Sequence, residues 1–452
     1  MTTSFTTEVG RLMTRFNAPG LSVDMLTGGK RYSAHVGKLV EGLPHKVTRN
    51  ARYATACLIK LLVAVEILSM AEKGLISLDA PIADYLPELA EGPRAKGRFI
   101  KVRHLLSHTG GYRSRPVAML MPLAHESWSN CAQFLHDTDQ LFIPGTVFDE
   151  DHLSYIILGQ LIEKMTGKPA LTAVAEHILK PLKIAPHTRP DDEKNTEIFA
   201  GGHAWDQEEK RWKSREEAYE EPDAVSSAMS YFSMSSGDVL RIGEALMDDY
   251  AGPGTEIITP FIRSNLFTEQ VQLPPEYGPN NPSRWTVRAF GMGTATFRDG
   301  HRGCFTVGRG QNFSLAYDRT RKSAISLAMN TTNSLERNVM LDTLFAKFSG
   351  DSSIVRENRG LDIDFTAFMG PFTTRDLGGV YLGFFPDPVE IFGDPRGFTI
   401  RVDKKDGYRV EASEEGRLVI HTRLPMSIGV FQDPVSKGPC LSMGMHAFRK
   451  VN

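Results

Sequence analysis

The sequence predicts an α+β chain that ends in a small all-β unit, and three observations carry that reading. A pair of strands lies near the N-terminus, and helical segments follow between residues 57 and 247. Strand-like segments return from Phe290 and lead to a last helix ending at Phe348. After Gly370-Pro371 only short strands separated by Gly, Pro and Asp turns remain. At 452 residues the chain is also too long for one small core, so length alone predicts two or three domains.

In chain order, Gly20-Leu-Ser-Val-Asp-Met-Leu and Lys30-Arg-Tyr-Ser-Ala-His-Val form two strands around a tight Gly28-Gly29 turn. A helix is expected from Leu61 to Glu72, apolar on several faces and ended by Gly74. Leu78-Asp-Ala-Pro81 opens a short element closing at Leu86-Pro87, and Val102 to Ser107 is helical up to Gly110-Gly111. Residues 112–143 have mixed periodicity and take no assignment. Pro144-Gly145 makes a turn before a helix from Tyr155 to Thr166, capped by Gly167. Ser235-Ser-Gly-Asp238 caps a helix to about Met247, and residues 251–285, rich in Pro, Gly and Asn, are expected to be loops. The strands FGMGTATF, FTVG, FSLAYD and AISLAMN precede the closing helix, Asn333 to Phe348. Residues 349–370 suit a linker, and residues 371–452 a small β-barrel or sandwich.

Composition narrows the function classes. A net charge of −2 with 23% charged residues gives no basic surface for nucleic acid, and no charged block argues for a membrane surface. The opening MTTSFTTEVGRLMTRF lacks the apolar core of a secretory signal, and no apolar run is long enough to span a bilayer. The four cysteines (57, 131, 304 and 440) lie far apart with no CxxC, which indicates neither a zinc site nor a disulfide framework. A reducing cytoplasmic setting, where a free thiol stays usable, is the expectation. No cofactor is called for, and a monomer or homodimer is expected.

The chemistry is concentrated in Tyr53-Ala-Thr-Ala-Cys57-Leu-Ile-Lys60. Residues three apart on a helix stand one above the other, so sulfur and amine can meet. A thiol at the first turn also feels the positive end of the helix dipole, which favours thiolate.

Residues 19–348 resemble the serine β-lactamase and penicillin-binding-protein superfamily, in particular its class C β-lactamase, esterase and D-aminopeptidase branch. The matching strings arrive in order: PGLSV with its hairpin, the xxxK helix start, LDAPIADYLPEL, VRHLLSHTGGY, PGTVF, YIILGQLIEKMTG, LKPLKI, SMSSGDVLRIGEAL and His301-Arg302-Gly303. The resemblance implies an antiparallel sheet with helices on both faces, and a mostly helical subdomain roughly within 78–285. It places the active site in the groove between them, within a catalytic domain spanning 1–348. The trailing unit resembles the lipocalin-like appendage of some members.

Three motifs line that groove in the family: SxxK, YxN, and KTG or HxG. The first is Cys57-Leu-Ile-Lys60 here. PGT upstream and the Tyr155 helix downstream both align the second with Glu150-Asp151-His152, and the third is His301-Arg302-Gly303. Decay of a dead enzyme leaves inert substitutes, whereas these positions gained a thiol, a carboxylate and an imidazole, the groups of thiol acyl-transfer sites on other folds.

Each residue carries a functional and a bland reading. Cys57 is the expected nucleophile rather than a buried small hydrophobe, and Lys60 is a proton acceptor or a cation holding the thiolate. His152 is the expected general base rather than a solvated loop histidine. Glu150 orients that imidazole or contacts Lys60 or a substrate amine. Asp149 and Asp151 are expected to be solvated neighbours, and a metal site in this acidic cluster is disfavoured because no third ligand stands at suitable spacing. His301, Arg302, Gly303 and Cys304 are the expected substrate-binding and oxyanion strand, with Arg302 meeting a substrate carboxylate if it points inward and N–H donors from Cys57 and around Cys304. His104 and His108 belong to the scaffold, and Cys131 and Cys440 are expected to be structural, like the Cys304 thiol.

The expected function is acyl transfer through a Cys57 thioester. Its substrate would be a small-molecule acyl group, carried on coenzyme A or an acyl carrier protein, and its outcome transfer, cyclisation or hydrolysis. Two alternatives stay open: a lyase or carbon–carbon bond enzyme using His152 and Glu150, and an inactive binding homologue.

Overall fold

The computed structural model describes residues 4–90, 97, 99–113, 128–185, 198–206, 208–215, 232–273, 287–297, 299–308, 310–331 and 334–349. It also describes eight C-terminal strands between 379 and 451, with the turn at 434–437. The expected linker, residues 349–370, lies outside the described residues beyond 349, as do 114–127 of the unassigned stretch and the side chains of Cys131 and Cys440.

Helix α1, Phe5–Arg15, opens the described chain. Sequence reading missed it, although Ser4 accepts the Thr7 N–H as its cap and apolar Phe5, Val9 and Leu12 fall on one face. Strands β1, Gly20–Thr27, and β2, Lys30–Gly37, pair around the Gly28-Gly29 turn, where both glycines have positive φ. The short β3, Tyr53–Ala54, leads to α2, Leu58–Glu72. This helix starts three residues earlier than periodicity indicated, which puts Cys57 at its N-cap. Helices α3, Val102–Leu106, α4, Trp128–Asp137, and α5, Leu153–Thr166, follow.

The hairpin of β4, Gly202–Asp206, and β5, Arg211–Arg215, comes next, then β6, Ser233–Met234, and α6, Ser236–Ala245. Helix α7, Pro260–Phe267, occupies part of a stretch read as loop. Its Thr259 cap and Pro260 at the first helical position are the start signal that the surrounding Pro and Gly masked. Strands β7, Val271–Gln272, β8, Val287–Phe290, β9, Ala295–Phe297, β10, Arg302–Gly308, β11, Gln311–Asp318, and β12, Ser323–Met329, precede α8, Ser334–Phe348.

These strands build one antiparallel sheet in the order β2-β1-β12-β11-β10-β9-β8-β7. Side chains alternate between its two faces. Ile325, Leu327 and Met329 of β12 pack with Val9 and Leu12 of α1 and Leu341 and Phe345 of α8. Phe313, Leu315 and Tyr317 of β11 pack into the opposite core with α2, α5 and α6. Helix α2 is buried on nearly every side, which is why its apolar residues show no single stripe. Beyond α8 the strands Gly379–Leu382, Val389–Asp394, Gly397–Val402, Tyr408–Ala412, Leu418–Ile420, Met426–Gln432, Pro439–Met443 and His446–Val451 close into a barrel.

Candidate active site

Two strands and a turn pin the start of α2. Tyr53 and Ala54 pair with Met234 and Ser233 of β6, and the Thr55 hydroxyl and N–H both donate to the Phe232 carbonyl, at 2.6 and 3.1 Å. The Ala54 N–H donates to Gln311 Oε1 at 2.8 Å. Ala56 then takes φ +42°, a conformation that costs a non-glycine residue about 1–3 kcal/mol and is held only by surrounding structure. The turn delivers Cys57, half-buried, to the helix N-terminus, where no side chain caps it.

One turn on, Lys60 Nζ donates to Glu150 Oε1 at 2.9 Å. The lysine side chain is 7% exposed and the glutamate 27%, so the pair is buried on the lysine side and open to the groove on the other. Burial alone would push the Lys60 ammonium down, but Glu150, with Cys57 and Asp151 behind it, holds it above its usual value. Burial likewise opposes ionisation of Glu150, yet Lys60 foremost keeps that carboxyl far below the carboxylate range. The Lys60 ammonium also lies 5.5 Å from the Tyr155 ring centroid. Tyr155 itself is committed elsewhere, donating its hydroxyl to the Leu106 carbonyl at 3.0 Å. The 2.9 Å contact and the upward shift at Lys60 both favour the charged ammonium over a neutral amine.

His152, just before α5, is half-buried, and burial followed by the nearby Lys60 charge lowers its pKa to about 3. The imidazole is thus neutral at physiological pH. Burial raises the Cys57 pKa, with Lys60 pulling it back and Glu150 adding to it, so the resting residue is a thiol. The site holds one ion pair together with a neutral thiol and a neutral imidazole.

Asp149 and Asp151, expected to be solvated, are 4% and 3% exposed. Glu150 faces Lys60 while Asp151 turns inward to Tyr112 and Ser154. A short irregular stretch carries no periodicity from which sequence can tell which of three polar neighbours turns in.

Strand β10 divides its motif between the two faces of the sheet. The His301 ring, just before it, lies against Phe345 of α8 at 5.0 Å between centroids, and its Nδ1 is 2.8 Å from Asp299 Oδ2. It belongs to the face away from α2, so the expected groove contact does not form. Arg302 is on the α2 face but is held by Thr296 and stands 3.6 Å from Glu269 and 6.0 Å from the Phe267 ring centroid. Its guanidinium is matched within the protein instead of reaching for a substrate carboxylate. A Cβ on Gly303 would come within 2.0 Å of the Leu315 carbonyl oxygen, so this glycine supplies room between strands. Cys304 packs on the α2 core, and two residues on the Thr306 hydroxyl donates to the Thr55 carbonyl at 3.3 Å. The structure thus joins Lys60 to Glu150, sets Cys57, His152 and Cys304 each within range of that pair's charges, and keeps His301 apart.

A cysteine at the head of a buried helix, a lysine one turn later and a sheet strand alongside stand where the penicillin-recognising fold carries its acyl-transfer site. The chain belongs to the Beta-lactamase family, whose model matches residues 6–347. It is 27% identical over 177 residues to Penicillin-binding protein 4 of Amycolatopsis lactamdurans, a match covering 38% of this chain and 45% of that relative, so the chain spans less than half of its length. The fold is shared with SurE, at TM-score 0.74 and 19% identity over 98% of this chain and 97% of that one. It is shared also with a class C β-lactamase solved with cefoxitin, at TM-score 0.61 and 16% identity over 75% and 96%. The family is one of β-lactamase-like hydrolases and acyltransferases.

Proposed function

We propose that the chain is a cysteine-dependent acyltransferase or hydrolase that forms a thioester at Cys57. The observation that carries this reading is the Lys60–Glu150 ion pair, which takes the lysine out of acid–base chemistry and leaves the neutral His152 as the group assigned to serve the thiol. As the Cys57 sulfur attacks the acyl carbonyl, its proton passes to His152. The Lys60 ammonium and the helix dipole favour the developing negative charge. The Cys57 N–H and an N–H of β10 around Cys304 would receive the oxyanion. Collapse breaks the bond to the leaving group, and the imidazolium protonates it. An amine, alcohol or water then gives its proton to His152 as it attacks the thioester, and the thiol is restored.

Sulfur-for-sulfur exchange is close to thermoneutral, which favours a donor on coenzyme A or an acyl carrier protein. The test is intact-protein mass spectrometry after incubation with a panel of acyl thioesters. Wild type gains one acyl mass at Cys57, and Cys57→Ala gains none. Labelling at another cysteine, or no labelling with any donor, defeats the reading.

A further inference from the structure

The residue between Glu150 and His152 turns its side chain the other way and is bound on every side. Asp151 Oδ1 accepts the Tyr112 hydroxyl at 2.9 Å and the Ser154 N–H at 2.5 Å. Oδ2 accepts the Ser154 hydroxyl at 2.8 Å and lies 3.3 Å from His108 Nδ1. The Asp151 N–H points at the same His108 nitrogen, 3.2 Å away, and the neighbouring Asp149 N–H donates to the His108 carbonyl at 2.9 Å. His108 is in turn caged by the rings of Phe148, Tyr155 and Phe290, with centroids 5.7, 5.0 and 5.4 Å away. It also holds a positive φ of 54°.

A carboxylate withdrawn from water is tolerated only where donors replace its hydration, and Asp151 has them from two separate parts of the chain. Those parts are the segment after α3 (Tyr112, with His108 alongside) and the first turn of α5 (Ser154), while the loop's own N–H groups at 149 and 151 point to His108. Fixing the middle residue of three inward constrains the backbone that carries the outer two. The geometry points to Asp151 as the positioning residue of the site, the anchor that holds Glu150 against Lys60 and fixes the backbone that carries His152. This inference rests on the acyl-enzyme reading above.

The test uses the full chain, butyryl-N-acetylcysteamine as donor, and the rate of Cys57 acylation by intact mass across the neutral to alkaline range. Asp151→Ala should slow acylation about 100-fold, the size of a lost general base. It should also change the shape of the pH profile. With His152 in place the rate is level, whereas without it the rate rises about tenfold per pH unit, because the sulfur must wait for its own ionisation. Asp151→Ala should acquire the profile of His152→Ala, and the double variant should be no slower than His152→Ala beyond about threefold, since both changes remove one function. Asp151→Asn keeps an acceptor for the Ser154 N–H and should retain the level profile.

A folded Asp151→Ala with a level profile and near wild-type rate overturns the inference. If that variant does not fold, Tyr112→Phe carries the test: its loss must vanish in the His152→Ala background, and an equal loss in both backgrounds overturns the inference. A wild type that never acquires the acyl mass defeats the acyl-enzyme reading itself, whereas labelled wild type with unaffected variants defeats only the positioning role.

Discussion

Replacing Glu150 by Gln should convert a pH-insensitive site into a pH-dependent one. In the wild type the depressed Glu150 pKa contributes stability that is present above about pH 4.3 and lost as pH falls through the folded value. The raised Lys60 pKa contributes stability that is present below about pH 10.4 and lost as pH rises through its folded value. Between those limits the pair's contribution is level. At 2.9 Å the two charges attract by about 5–6 kcal/mol at an effective dielectric of about 20. In Glu150→Gln, burial is left to dominate Lys60, which must stay charged and unpaired or give up its proton. Deprotonation costs about 1.4 kcal/mol for each pH unit below about 10.4, or about 4.6 at pH 7 and about 2 at pH 9. That caps the penalty near the 3–5 kcal/mol typical of a broken buried pair. The variant should therefore be about 3–5 kcal/mol less stable at pH 7 and recover with a positive slope toward pH 9, because its unfolded chain binds one more proton than its native state. All four tryptophans (128, 205, 212 and 285) precede residue 349, so urea unfolding followed by tryptophan fluorescence reports the catalytic part of the chain. A stability difference that stays constant from pH 7 to pH 9 would falsify the assignment of Lys60 as a paired, buried cation.

Two further outcomes follow from the same geometry. With its pKa near 3, His152 stays neutral across the working range, so wild-type acylation should show no loss near pH 6.5, and His152→Ala should cost about 10²–10⁴-fold; an acid limb near 6.5 would show an exposed, unperturbed imidazole. Gly303→Ala forces a methyl against the Leu315 carbonyl and should lower stability by about 1–3 kcal/mol or more, seen as a drop in melting temperature; an unchanged melting temperature would mean that β10 and β11 are not so closely paired there.

Much of this architecture was legible because long apolar segments bounded by turn residues state their own burial. The helices at 58–72 and 153–166 and the strands from 287 to 329 are of that kind. Cys57, Lys60, Glu150 and His152 were legible as positions within strings whose flanks resemble a known scaffold. What escaped was orientation. His301 stands just before β10 and Arg302 opens it, and alternation sends one to Phe345 and the other to Thr296, a choice that depends on register. Asp151 escaped for a related reason, since a carboxylate in a polar triplet looks solvated until Tyr112 and Ser154 are brought to it by the fold.

The substitutions at positions 150 and 152 are best understood as one change. In the motif this chain resembles, a phenol stands where Glu150 is, and a phenol leaves the lysine ammonium without a charged partner. A carboxylate there pairs with Lys60 and holds its proton, which abolishes the lysine as a base. Under the proposed mechanism the nucleophile would then need another proton acceptor in the groove, and the imidazole at 152 is the group assigned that role. Its low pKa comes first from burial and then from the Lys60 charge, which Glu150 helps to keep. Cysteine completes the set, because a thiol ionises far more readily than a serine hydroxyl and can be served by a weak neutral base.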